Sequence, residues 1–160
     1  MPPTANGLRR FLDFLLYGVF QTSNRLGNGE VFLRTVEEIS VRKLLEEGSV
    51  RLSPTDDPVE IIRTYNEHLD ETGILDAGDV EYGSDAEGIQ IAMGESCPYR
   101  EVCDWILAEG GTTPCFRSVA LREVLRLATN KTYDGRLRSF GTPCRITLSR
   151  VRWEAADHGN

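Results

Sequence analysis

No cysteine occurs in the first 96 residues, and no two of the four in the chain form a C-x₂-C pair. The absence of that pair excludes the zinc-ribbon and ferredoxin spacings. Histidine is scarce, with only His68 and His158, so no Ser/His/Asp or Cys/His catalytic arrangement is in view. The longest apolar run, Phe11–Phe20, is broken by Asp13, Tyr17 and Gly18 and is too short to span a bilayer. No basic start is followed by an apolar signal core and a small-residue cleavage site, so the sequence predicts a cytoplasmic protein with reduced thiols and no membrane partner. A net charge of −7 repels phosphates and makes a broad nucleic-acid-binding face an unexpected feature. The stretch from Arg117 to Arg152 holds nine Arg or Lys; such a run reads first as a solvated face. Gly83–Gly88 carries two acids and no Lys, which excludes a phosphate loop and leaves a hairpin turn.

What remains is an ordinary globular composition in 160 residues, 40% hydrophobic and 27% charged, which fits one domain. Leu8, Phe11, Leu12, Leu15, Leu16, Val19 and Phe20 recur at helical spacing and predict an amphipathic helix. Its apolar stripe is wide enough to need more than one neighbour: either all of it is core, or one edge lies in a dimer interface. Gly27–Gly29 ends it, a second helix runs through Glu30–Glu47, and Gly48 stops that one. Asp56 or Asp57 caps a third helix at Val59–Thr72, with Pro58 at its first position, and Gly73 closes it. Val80 and Tyr82, then Ile89, Ile91 and Met93, alternate with period two and predict a hairpin. Helices follow at Pro98–Glu109 and Pro114–Thr129, the latter capped by Thr112 or Thr113. Asp134-Gly135 reads as a hairpin turn, before strands at Arg136–Phe140 and Cys144–Trp153. The terminal stretches Met1–Asn6 and Glu154–Asn160 read as loose. Paired strands with helices between them predict an α+β fold: one domain with an antiparallel sheet of about four strands covered by about five helices.

The cysteines are Cys97, Cys103, Cys115 and Cys144, separated by five, eleven and twenty-eight residues. Cys97 leaves a strand, Cys103 is on the next helix, Cys115 opens another, and Cys144 starts the last strand. Ligands of one metal ion come from several such element ends, and a helix N-terminus favours a thiolate. The four are therefore candidate ligands for zinc, or alternatively for an iron–sulfur cluster. Structural thiols and a disulfide or redox-active pair are the competing readings. Glu95, beside Cys97, is a weaker candidate, read first as solvated. Phe11, Leu15, Phe32, Tyr65 and Trp105 are candidate walls of a pocket for a hydrophobic small molecule, between the first three helices and the sheet. An enzyme would need an acid–base group near the metal, and none is evident.

The Cys115 helix, the Asp134-Gly135 turn and the ending Gly-Thr-Pro-Cys-Arg-Ile-Thr-Leu at Gly141–Leu148 give the chain a resemblance, over about Leu8–Trp153. It resembles the 4-vinyl-reductase-like small-molecule-binding domains, related in fold to subunits of the TRAPP transport complex. The resemblance implies a homodimer packed through N-terminal helices, a cavity for hydrophobic ligands and, as in aromatic-sensing relatives, a zinc held by cysteines and a glutamate. Cys115 and Cys144 match two of those ligand positions. Tyr133–Gly141 contains neither Cys nor Glu, so the sequence departs there from the family pattern: either Cys97 and Cys103 supply the missing ligands, or the site is absent or different. A sensor of this kind would act through a separate output protein. An interaction scaffold with structural cysteines is the plainer alternative.

Overall fold

The computed structural model describes residues 5–113 and 115–151. It is an α+β domain of five helices and a four-stranded antiparallel sheet, as the hydrophobic periodicities predict. The helices are α1 (Ala5–Arg25), α2 (Gly29–Glu46), α3 (Pro58–Glu71), α4 (Arg100–Ala108) and α5 (Phe116–Thr129). The strands are β1 (Val80–Asp85), β2 (Gly88–Met93), β3 (Tyr133–Ser139) and β4 (Cys144–Arg150), in the spatial order β1-β2-β4-β3.

Local chemistry accounts for the helix limits. The Asp57 carboxylate accepts the N–H of Val59 at 2.9 Å, and Pro58 supplies the fixed φ of the first turn of α3. Gly48 and Gly73 adopt φ +71 directly beyond α2 and α3, the left-handed conformation that lets the backbone close on the last carbonyls. The sheet register then sorts side chains by face. Ile89 lies opposite Leu148, Ile91 opposite Ile146 and Met93 opposite Cys144. With period two, these residues share the face covered by the helices. On the other face Gln90 lies opposite Thr147, whose hydroxyl donates to the Gln90 carbonyl at 2.7 Å.

Helices α3 and α5 pack on the sheet, α2 packs on α5, and α1 packs on α2 and α4. This layering makes two apolar clusters. The larger, with Ile61, Ile62, Leu121, Leu125, Ile91 and Leu148, fills the space between α3, α5 and the sheet. The smaller, with Phe20, Leu33, Val102, Ile106 and Phe116, joins α1, α2, α4 and α5. Tyr99 packs against both.

Two expectations about turns change. The first hairpin is tighter than a Gly83–Gly88 turn, because Gly83, Ser84 and Asp85 already pair with Gln90, Ile89 and Gly88. Asp134 and Gly135 form no turn at all: they lie inside β3, opposite Ser149 and Leu148. Gly135 serves a close approach instead, since a Cβ there would stand 2.9 Å from Arg122 Cδ and 3.2 Å from Ser118 Cβ on α5. The chain turns from β3 to β4 through Phe140–Pro143, with a cis bond before Pro143. The α5 helix begins at Phe116 with Cys115, not a threonine, in the capping position. Trp153, His158, the stretch Glu154–Asn160 and residues 1–4 fall outside the described residues, while Ala5 and Asn6, expected to be loose, begin α1.

Candidate metal centre

All four cysteines line one cavity, at the junction of the two apolar clusters. Each arrives by a different device. Cys97 follows a loop held by Asp79, whose carboxylate accepts the Ser96 N–H at 2.7 Å and occupies the space a Cβ on Gly94 would need. Cys103 lies on the buried side of α4 with Val102 and Ile106, its sulfur 3.5 Å from the Thr113 hydroxyl. Cys115 precedes α5, where its carbonyl accepts the Ser118 hydroxyl at 2.8 Å. Cys144 begins β4 two residues before Ile146 and is turned to the core by the strand alternation.

The cavity has a free volume of about 20 Å³, room for one water-sized occupant. Its other walls include Met93, Tyr99, Phe116, Leu137 and Phe140, so the surroundings of the sulfurs are apolar. Burial accordingly pushes the thiols up: Cys103 to about 12, Cys115 to about 11, and Cys97 in the same direction. Backbone N–H groups at the start of α5 oppose this at Cys115, and the Tyr99 N–H does so at Cys97, but desolvation wins. The sulfurs also feel one another. A charge on Cys144 raises Cys97, charges on Cys115, Cys97 and Cys144 raise Cys103, and charges on Cys97 and Cys144 raise Cys115. Every pairing of the four is represented. All four are free thiols.

Convergence on a cavity is not yet ligation. Among the described residues, no three Cys, His, Asp or Glu side chains stand close enough together to hold a metal ion. Zinc–sulfur bonds are about 2.3 Å long, so the sulfurs would have to draw in around an ion. Glu95 is exposed and is not among the cavity walls.

The donor set has company that the sequence analysis did not single out. Arg100 and Arg117 also line the cavity, and the Nε of each is buried without a hydrogen-bond partner. Arg117, counted in sequence with a basic face, is 3% exposed. It donates to the Asn66 carbonyl oxygen and its guanidinium lies 5.2 Å from the centre of the Tyr65 ring. Asn66 in turn donates to the Tyr82 hydroxyl at 2.7 Å. Behind the cavity, Glu37 on α2 accepts the Tyr99 hydroxyl at 3.0 Å. Burial pushes Glu37 up to about 7, against the pull of Tyr99 and Arg117. In chemistry, though not in their present spacing, four thiols beside two unpartnered buried N–H donors suit an anionic thiolate complex.

The candidate ligand-pocket residues do not surround one space. Tyr65 is 2% exposed in the core. Trp105 is packed between Phe14, stacked at 5.1 Å, and Tyr17, edge-on at 5.8 Å. Phe11 is 61% exposed. Only Leu15 and Phe32 meet, in an open groove between α1 and α2 of about 480 Å³. The region between helices and sheet is filled by close-packed core residues, which leaves the larger free spaces on the outer, helical side. A second, about 760 Å³, is lined by Leu8, Leu12, Leu15, Leu16, Val36 and Ile74, with Glu37 and Tyr99 along its walls. His68 bonds the Thr64 carbonyl within its own helix at 2.8 Å, away from the cysteines. Among the described residues no helix is long and apolar enough to cross a membrane. Compared with known proteins, the chain matches no family model, no curated protein and no solved structure.

Proposed function

We propose that this domain binds one zinc ion through Cys97, Cys103, Cys115 and Cys144, and that it serves as a binding or sensing module. The observation that carries the reading is the delivery of four thiols, from helix α4, strand β4, the β2–α4 connection and the residue capping α5, to a single small cavity. Core cysteines placed for packing alone have no reason to share one cavity wall. The volume favours a single ion: about 20 Å³ takes one small occupant, whereas an iron–sulfur cubane needs several times that space. The same volume excludes a hydrophobic small molecule from the cysteine cavity. The apolar groove of α1 and α2, within the size range of ligand sites, is the place for such a molecule. A homodimer is the alternative use of that side. Leu8, Phe11, Leu12 and Leu15 are each more than half exposed on one stripe of α1, an unusual apolar patch for a lone chain.

Metal analysis of reduced protein purified without oxygen tests the reading. One zinc per chain is expected, with the bound metal lost in both Cys115→Ser and Cys144→Ser. Full occupancy in either variant removes that cysteine from the site. Brown protein with iron and sulfide would establish the cluster instead. Metal-free protein that takes up neither zinc nor cobalt would leave the cysteines as core thiols.

A further inference from the structure

The two arginines in the cavity wall stand where helix electrostatics disfavour them. Arg100 is the first residue of α4 and Arg117 the second residue of α5. A helix N-terminus carries partial positive charge and stabilises anions, so a cation there weakens the helix. Neither guanidinium forms an ion pair with a carboxylate among the described residues, although Arg126, Arg138 and Arg63 all do. Arg117 is buried and Arg100 half-buried, and a guanidinium held out of water without a carboxylate in direct contact is costly.

The remaining hydrogen bonds fix both groups in place. Arg100 donates from Nη1 to the Gly141 carbonyl at 2.6 Å and from Nη2 to the Gly94 carbonyl at 2.8 Å. Its guanidinium lies 5.2 Å from the centre of the Phe140 ring. The group therefore clasps the end of β2 to the β3–β4 connection and leaves its Nε–H over. Arg117 is held by Asn66 and Tyr65 and leaves its Nε–H over as well. Two rigidly held, positively charged donors thus border a cavity whose other polar groups are mainly thiols.

Building on the zinc reading, we propose that Arg100 and Arg117 are the counter-charge of the metal centre, each offering its Nε–H to a ligand sulfur and matching the site to a divalent ion held by four thiolates. Four thiolates around a divalent ion leave two negative charges, and two guanidiniums cancel them. The loaded cavity is then neutral, which is the condition for keeping an ion complex in apolar surroundings. Hydrogen bonds from charged donors to ligand atoms also hold those atoms in place and withdraw electron density from them. The arginines are positioning residues: they touch the ligands, not the ion.

Cobalt(II), taken up anaerobically by metal-free reduced protein, is the probe. Sulfur-to-cobalt absorption bands report the ligand set, and competition with a chromophoric chelator gives the affinity. The wild-type chain is expected to bind one cobalt with a tetrathiolate spectrum. Arg100→Gln is expected to keep four sulfur ligands but to bind about 10- to 100-fold more weakly. Its charge-transfer bands should move to lower energy, because a sulfur that loses an N–H donor gives up electrons more readily. Arg100→Lys keeps the charge without the Nε–H and should recover part of the affinity. Arg117→Gln should act like Arg100→Gln; if it does not fold, as circular dichroism would show, Arg100→Gln alone decides. A purely architectural role would lower the melting temperature of the metal-free protein without moving the bands. Affinity and bands unchanged in the folded glutamine variants overturn the counter-charge proposal while leaving the metal centre standing. Failure of the wild-type chain to bind cobalt or zinc overturns both.

Discussion

Replacing Glu37 by Gln offers a direct measure of how the buried polar groups behind the cavity are balanced. Glu37 is 6% exposed, and its carboxyl is raised from 4.5 to about 7, chiefly by burial. The unfolded chain loses this proton near pH 4.5 while the folded chain keeps it until about pH 7. Between those values the folded state binds more protons, so stability falls as pH rises. The fall is complete above about pH 7 and absent below about pH 4.5. At about 1.4 kcal/mol per pKa unit, the penalty at slightly alkaline pH is roughly 3 kcal/mol. Glutamine keeps an oxygen for the Tyr99 hydroxyl and carries no charge at any pH. Urea unfolding of both proteins, with chelator and reductant present, should therefore give similar stabilities at pH 4.5 and a growing advantage for Glu37→Gln toward pH 8. Asp13 is also raised by burial, but it is common to both proteins and cancels from the difference. Parallel pH profiles for the two proteins would refute the argument, because they would mean that Glu37 is already ionised in the folded state at pH 5.

Two further outcomes are expected. The double variant Phe11→Glu, Leu12→Glu should run as a monomer in size-exclusion chromatography with light scattering, where the wild type runs as a dimer; a monomeric wild type at micromolar concentration would remove the dimer. Gly88→Ala should lose at least about 2 kcal/mol in denaturant unfolding. Its φ is +133 and a Cβ would stand 2.3 Å from the Leu148 carbonyl oxygen, so a loss under 0.5 kcal/mol, on the order of a neutral surface change, would contradict that strand packing.

The elements of this fold are legible where the chemistry is local. Asp57 with Pro58 marks the start of α3, Gly48 and Gly73 mark helix ends, and alternation at Ile89–Met93 marks a strand, because each signal acts within a few residues. Asp134-Gly135 misleads because the glycine answers to α5 packed across the strand, a contact that no neighbouring residue announces. The same division runs through the site. That Cys115 and Cys144 occupy element ends is visible along the chain, whereas Cys97, expected to leave a strand at the start of a helix, lies within the loop between β2 and α4. The roles of Arg100 and Arg117 are hidden. In sequence, one is an arginine beside a glutamate and the other heads a run of basic residues; only the folded chain buries Arg117 and the Nε of Arg100. Their position in the first turn of a helix is the one sequence signal that could have marked them. The pocket expected from Phe11, Leu15, Phe32, Tyr65 and Trp105 fails to assemble for a related reason. Helical periodicity tells which side of a helix is apolar, not which neighbour fills it.

Tyr99 belongs to two spaces at once. Its ring is stacked on Phe116 at 5.4 Å and faces the cysteine cavity, while its side chain also borders the outer groove, where its hydroxyl is anchored to Glu37. One aromatic plate is thus the partition between an inner chamber and an open trough. Reshaping either compartment at that boundary means moving a wall that the other also uses.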